Sequence, residues 1–210
     1  MTSIRDLSVI YINPDHNEKY HNRKTTIEKM LNTIGCVNTR HYKSGTESYP
    51  KCLISALINI LESNLDTPFL LLEDDVAWTG VDTIEIPEDA DAIYLGVSYS
   101  GGDRQRDTHI PGLSCEIKPY SPTQCRVYNM LSGHAILFIS RRYKEAVIQE
   151  LEKIKDIVHN TDVMMSRIQR NYNVYANNMP VFYQDDDMAR SITKIRIKFN
   201  ESGGKIIEWF

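Results

Sequence analysis

Phe69-Leu70-Leu71-Leu72-Glu73-Asp74-Asp75 is the stretch on which the reading of this chain turns. Four large apolar residues in a row, entered through Thr67-Pro68, describe a strand buried on both faces, as at the centre of a sheet whose crossovers carry helices. The carboxylates that follow would stand where such sheets open into a ligand crevice, at the carboxyl ends of the strands. Alternation along the strand would aim Glu73 and Asp75 one way and Asp74 the other, leaving one pair free to face a hard divalent cation. A diphosphate carried by magnesium or manganese is the expected occupant.

Upstream of this stretch, strand and helix signals alternate. Leu7 to Ile12 reads as a first strand, ended by the turn-forming Asn13-Pro14-Asp15. From about Lys19 to Ile34, Ile27, Met30, Leu31 and Ile34 recur at helical spacing, and Gly35 supplies the stop. Val37 to Tyr42 is a second strand. Ser48 and Pro50 open a second helix, with Leu53, Ile54, Leu57, Ile60 and Leu61 on its apolar face. The alternation predicts an α/β fold with a mostly parallel central sheet flanked by helices and joined by right-handed crossovers.

Downstream the rhythm changes. Ala92 to Leu95 is a strand, Ser98 to Thr108 a glycine-rich, charged and mobile loop, and Cys115 to Leu131 two strands around Ser121-Pro122-Thr123. Ala135 to Ile139 is a further buried strand leading into a helix from about Arg142 to Ile157. A short helix begins near Thr161, and Val181 to Tyr183 is a last short strand. No linker divides residues 1–210, which read as a single domain, complete or one module of a longer protein.

Composition narrows the function classes. The chain has 210 residues, 41% hydrophobic and 25% charged, with a formal net charge of -4. An acidic balance with no basic stripe argues against a nucleic-acid binder, yet it does not exclude phosphate ligands, because a metal supplies positive charge locally. No signal peptide opens the sequence and no stretch is long enough to span a bilayer, so a cytoplasmic protein is expected, a viral enzyme acting in a host cytoplasm included. Cys36, Cys52, Cys115 and Cys125 show no CxxC spacing and read as ordinary thiols of a reducing compartment. The sequon Asn200-Glu201-Ser202 reads as chance.

Four segments in this order carry a resemblance: Val9-Ile10-Tyr11-Ile12-Asn13 with Arg23; Leu71-Leu72-Glu73-Asp74-Asp75-Val76; Ser132-Gly133-His134 running through Ala135 to Arg142; and Asn160-Thr161-Asp162-Val163-Met164-Met165. Gln184 followed by Ser191-Ile192 is a weaker fifth. Together they resemble a GT-A type nucleotide-diphospho-sugar transferase fold, that of the lipooligosaccharide and procollagen galactosyltransferase family, or a chlorovirus glycosyltransferase domain. The resemblance implies a UDP-sugar donor, a glycan or glycoprotein acceptor, and Mn²⁺ or Mg²⁺. Two departures stand out: family members often continue beyond this length, and their Ser-His pair is not evident around Tyr49 to Ser55.

On that likeness Asp75 is the metal ligand, with Asp74 or Glu73 binding through water or holding the ribose. Tyr11, Ile12 and Asn13, by backbone groups, and the Arg23 side chain hold base, ribose and phosphate. Asp162 is the general base of an inverting transfer, although Asn160-Thr161-Asp162 equally suits a helix cap and first-turn acid. Gly133 and His134 touch the sugar, against a core role for the histidine. Gln184 with Asp185 to Asp187 reads as a solvated acidic turn rather than a further ligand to metal or sugar, and Arg104 and Arg106 as exposed loop residues rather than a lid over the diphosphate. The rival functions are a nucleotidyltransferase, which would want a glycine-rich cationic loop after the first strand, a phosphohydrolase with a second metal-binding cluster, and a catalytically silent carbohydrate-binding module.

Overall fold

The computed structural model describes residues 1–45, 49–103, 108–157, 159–186, 190 and 192–210. Ser48, Arg104, Arg106, Asp187 and Ser191, given roles above, lie outside them.

The first half follows the sequence closely. Strand β1 (Val9–Asn13) is buried throughout and leads into helix α1 (Glu18–Ile34). Asn17 caps α1 by accepting the Tyr20 N–H, and Gly35 closes it at φ 85°, a left-handed geometry that glycine adopts without a Cβ penalty. Strand β2 (Thr39–Lys43) forms one edge, helix α2 (Lys51–Ser63) buries Ile54, Leu57, Ile60 and Leu61, and β3 (Phe69–Glu73) is the central apolar run.

After β3 the chain builds β4 (Val76–Trp78), β5 (Ala92–Tyr94), a ribbon of β6 (Ser100–Asp103) and β7 (Thr108–Ser114), then β8 (Ile117–Pro119), β9 (Gln124–Val127) and β10 (Ala135–Phe138). Helices α3 (Arg141–Glu152) and α4 (Thr161–Ile168) follow, then β11 (Val174–Asn177), β12 (Phe182–Gln184) and a hairpin of β13 (Ile195–Phe199) and β14 (Lys205–Trp209). A two-residue ladder joins Thr2–Ser3 to Thr83–Ile84. None of the helices is long and apolar enough to cross a membrane among the described residues.

Eight strands form the main sheet in the order β8-β9-β11-β5-β10-β3-β1-β2. The expectation of a mostly parallel sheet needs correction. Only β1 with β2, β1 with β3, and β5 with β11 run parallel, and the other four neighbouring pairs are antiparallel. Among the described residues no helix separates β5 from β10, and β10 enters reversed between β3 and β5. The segment expected as a mobile loop instead supplies the paired strands β6 and β7 on its described residues.

Side-chain alternation divides the core into two layers. Ile10, Ile12, Phe69, Leu71, Ile136 and Phe138 pack toward α2 and α3, whereas Val9, Leu70, Leu72, Ile93 and Leu137 pack toward Ile27 and Leu31 of α1. Asp91 anchors the junction of three elements. Its carboxylate, 2% exposed, accepts from Ser140 Oγ at 2.5 Å, Arg142 Nε at 2.7 Å and Nη2 at 2.6 Å, and the Asn173 N–H at 2.7 Å. These donors outweigh burial and hold its pKa below the ordinary 3.8. Its ionised form therefore stabilises the fold above that value, and the contribution is lost as pH falls through the lowered folded value. Asp91→Asn should cost about 1–3 kcal/mol near neutrality, with the deficit shrinking below about pH 4. Melting curves of both proteins from about pH 7 to about pH 3 check this, and a deficit that persists unchanged in acid would refute it.

Candidate functional site

Strand β3 stops at Glu73, and Asp74 and Asp75 form the turn into β4. Strand geometry therefore does not extend through the trio, yet Glu73 and Asp75 still interact, Asp75 being the strongest charged influence on Glu73. Asp74 and Asp75 both approach Arg23 on α1, and Glu73 lies near Asp75, with Gln184 Nε2 at 3.5 Å from its Oε2.

Asp74 is fully engaged. Its Oδ2 accepts from Asn13 Nδ2 at 2.5 Å and its Oδ1 from Arg23 Nη1 at 3.0 Å. The same Arg23 Nη1 lies 3.7 Å from Asp75 Oδ2, and its Nη2 donates to Asp186 at 3.4 Å. Arg23 thus straps three carboxylates together from a helix facing the sheet's edge. Asp75 Oδ1 is buried with no hydrogen-bond donor. Burial raises the pKa of all three β3-end carboxyls, and their mutual repulsion raises those of Glu73 and Asp75 further; Arg23 pulls each of the three back.

Two cavities meet here. The larger, about 690 Å³, lies at the carboxyl ends of β1 to β3, and its walls include Ile12, Lys19, Arg23, Ser44, Asp74 and Asp75. Lys19 and Arg23 lie four residues apart on α1 and present their charge on one face. The smaller, about 270 Å³, is walled by Ser132, Gly133, Asn160, Thr161, Asp162 and Thr193 among others, with no lysine or arginine among the described residues. Tyr49, Glu73 and Gln184 line both. A third hollow of about 520 Å³ lies between α1 and β4, walled by Met30, Val76 and Trp78, and backs onto Asp74 and Asp75.

The residues picked out from the sequence distribute unevenly over this geometry. Ile12, Arg23, Glu73, Asp74 and Asp75 line the larger cavity, and Asn13 holds Asp74 beside it. Gly133 and Asp162 line the smaller one, where Asp162, half-buried in the first turn of α4, accepts the Val163 N–H at 2.8 Å.

Tyr11 does not reach the site. Its ring packs in the α1 layer, stacks on His41 and donates to Glu28 at 2.5 Å, while its backbone is flanked on both sides by paired strands. The Asn13 carbonyl is likewise taken, by the Ser44 N–H and His41 Nε2.

His134 is 1% exposed and lines neither cavity, which places it in the core. The Ser132 hydroxyl donates to the Gly96 carbonyl at 3.0 Å, so it accepts from His134 Nδ1 at 3.2 Å. Burial pushes this imidazole's pKa down to about 4. Its Nε2 lies against Gly96, where an added Cβ would sit 1.9 Å away. Gly96→Ala should therefore cost about 1–3 kcal/mol by overpacking, read as a lower melting temperature; an unchanged one would show that the ring can retreat.

Sequence reasoning did not single out Lys19. Gln184 and Asp186 were read as a solvated turn because a charge run carries no sign of which strand edge it will meet. Pairing of β12 with β4 puts Gln184 opposite Val76 and brings the Asp185 N–H to the Asp75 carbonyl at 2.7 Å.

No group of three or more His, Cys, Asp or Glu residues placed to hold a metal occurs among the described residues. The orphaned Asp75 Oδ1, beside Asp74 and Glu73, nonetheless fits a cation. Magnesium is commonly held by one or two carboxylates, with ligand phosphates and water completing its shell.

No protein family and no curated protein matches this chain. Among solved structures, it is similar to a nucleoside-diphosphate-sugar pyrophosphorylase from Vibrio cholerae RC9 at 12% identity and a TM-score of 0.45, over 80% of this chain and 70% of that one. A UTP-bound UGPase from Acinetobacter baumannii follows at 10% identity and 0.38, over 79% of this chain and 63% of that one. Likenesses this distant assign neither a fold family nor an activity, and they do not establish the GT-A resemblance.

Proposed function

We propose that this chain is a nucleotide-sugar enzyme that transfers the sugar from a UDP-type donor to a hydroxyl of a glycan or glycoprotein acceptor. The supporting observation is the division of chemistry between two adjoining cavities. The larger has Lys19 and Arg23 on one wall and an unsatisfied Asp75 oxygen on the other, a setting for a nucleoside diphosphate with a cation. The smaller offers hydroxyls, amides and carboxylates among the described residues, which suit a neutral polyol.

Asp75 would hold Mn²⁺ or Mg²⁺, which supplies charge neutralisation as the diphosphate leaves. Asp74 is committed to Asn13 and Arg23, so it orients the cluster. Arg23 binds the diphosphate and Lys19 adds charge at the mouth. Asp162, on the wall of the smaller cavity, takes the proton of the acceptor hydroxyl as the anomeric carbon is attacked from the face opposite the nucleotide, an inverting outcome.

Nucleotidyl transfer, which makes a nucleotide sugar instead of spending one, is the second reading, because the same cationic wall would accept a triphosphate. The chain after β1, Asn13-Pro14-Asp15-His16-Asn17, lacks the glycine-rich cationic loop that reaction favours. Product analysis separates the two. Incubation with UDP-hexoses, Mn²⁺ and glycan acceptors should release UDP, and Asp162→Asn should slow that release about 10²–10⁴-fold without weakening UDP binding. Pyrophosphate released from UTP and a hexose 1-phosphate, with no UDP released from the donors, would establish the second reading.

A further inference from the structure

We propose that Tyr49 is itself an acceptor: its phenolic oxygen takes the hexose from the donor bound in the same chain, leaving a glycosylated tyrosine at the edge of the site. This goes beyond the nucleotide-sugar reading above and rests on it.

Tyr49 stands just before helix α2 (Lys51–Ser63), beside a buried Pro50, and is itself 69% exposed. It lines both cavities, a place it shares with Glu73 and Gln184 alone among the described residues. A group in that position meets whatever joins the contents of one cavity to those of the other. In a sugar transfer, that is the carbon passing from diphosphate to hydroxyl. Of the three residues only Tyr49 has a hydroxyl to receive it.

The other hydroxyls that wall the smaller cavity are ill placed to be glycosylated. Ser100, Ser132, Thr161 and Thr193 are each at most 9% exposed. Ser132 Oγ donates to the Gly96 carbonyl at 3.0 Å, and Thr193 Oγ1 accepts the Gln184 N–H at 3.0 Å. A residue that receives a hexose needs open space to house it, and Tyr49 has that space.

The Tyr49 hydroxyl also stands in the field of the groups that the transfer requires. Burial pushes its pKa up, to about 12, and negative charge at Glu73, Asp162, Cys52 and Asp75 adds to the rise. A tyrosine hydroxyl is protonated near neutrality in any case, so it attacks only as its proton is taken. Asp162 would take it. In the step, Tyr49 Oη bonds to the anomeric carbon while the bond from that carbon to the diphosphate oxygen breaks. The electron pair leaves with UDP, and the phenolic proton passes to Asp162.

Intact-mass measurement tests this on wild type, Tyr49→Phe and Asp162→Asn, each incubated with Mn²⁺ and UDP-glucose or UDP-galactose and no added acceptor. Wild type should gain one hexose per chain, mapped to Tyr49 by peptide mass spectrometry, at a rate per chain that does not change with protein concentration. A hexose found on Tyr49 of the protein as purified supports the inference equally. Tyr49→Phe, which keeps the ring, should gain none, and Asp162→Asn should gain its hexose about 10²–10⁴-fold more slowly. The peptide map of wild type decides the matter if Tyr49→Phe does not fold. A wild type that releases UDP to glycan acceptors but gains no hexose would overturn the inference, as would a hexose on another residue or one that Tyr49→Phe still acquires. So would an Asp162→Asn variant as fast as wild type, or a rate per chain that rises with protein concentration, which would place the transfer between copies. A wild type that neither gains a hexose nor releases UDP with any acceptor would instead strike the nucleotide-sugar reading, and the inference with it.

Discussion

Asp75→Asn is expected to make the protein slightly more stable and about a hundredfold or more slower in UDP release. The two effects have one cause. Asp75, 16% exposed on its side chain, stands beside Glu73 and Asp74 with its buried Oδ1 lacking a donor, so its charge is a burden on the fold. Arg23, at 3.7 Å, offsets only part of that. An isosteric amide removes the repulsion and should stabilise by about 0.5–2 kcal/mol, the range typical when a site strained for function is relaxed. The same amide is a poor ligand for Mn²⁺, so the diphosphate loses its counter-charge in the transition state. Thermal melts in chelator and initial rates in Mn²⁺ read the two arms. A destabilised variant with undiminished turnover would mean that Asp75 serves the fold alone.

Arg23→Met should have the opposite effect on stability and the same effect on function. Methionine keeps much of the stem's packing but leaves Asp74 and Asp75 without their cation, and removing one partner of a largely buried ion pair typically costs about 3–5 kcal/mol. Arg23 is 24% exposed on its side chain, so about 2–4 kcal/mol is expected, or roughly 4–15 °C in melting temperature for a chain of this size. Residues in one network are not additive. Adding Asp75→Asn to Arg23→Met should recover part of the loss, and Mn²⁺ should stabilise this variant more than wild type because the ion replaces the missing guanidinium charge. Recovery by neither route would locate the effect of Arg23 in packing.

The first half of the molecule was legible because each element there has a local signature. Ile27 and Leu31 recur on one face of α1, Gly35 ends it, and the run from Phe69 to Leu72 is buried as its composition requires. The turn at Ser121-Pro122-Thr123 was legible for the same reason, since Ile117–Pro119 and Gln124–Val127 pair across it. What could not be read was partnership between distant segments. Nothing in Ala135–Phe138 says that it will run antiparallel between β3 and β5. Nothing in Val76–Trp78 says that it will pair with Phe182–Gln184 and so bring Gln184 to Glu73. The hairpin of β13 and β14 was overlooked although Ile195-Arg196-Ile197-Lys198 alternates cleanly, with Arg196 and Lys198 both reaching Glu208.

Within the site, the acidic trio was recognised by its composition. That Asp74 and Asp75 fall in a turn was not, because the end of β3 at Glu73 is not marked by the composition of the trio. The segment from Ser132 to Arg142 is mixed in role. Gly133 borders a cavity, His134 fills the core, Ser140 caps α3, and Arg142 clamps Asp91, so most of a stretch that resembles a family motif maintains the fold.

The central claim is that Asp75 holds a cation which in turn holds the diphosphate. The most direct test is the melting temperature of the wild-type protein with saturating UDP, in Mn²⁺ and again in chelator. Ligand binding to the folded state alone at about a hundred times its dissociation constant stabilises by about 2.7 kcal/mol, so a rise of roughly 5–10 °C is expected in Mn²⁺ and none in chelator. An equal rise in both, or no rise in either, would contradict it.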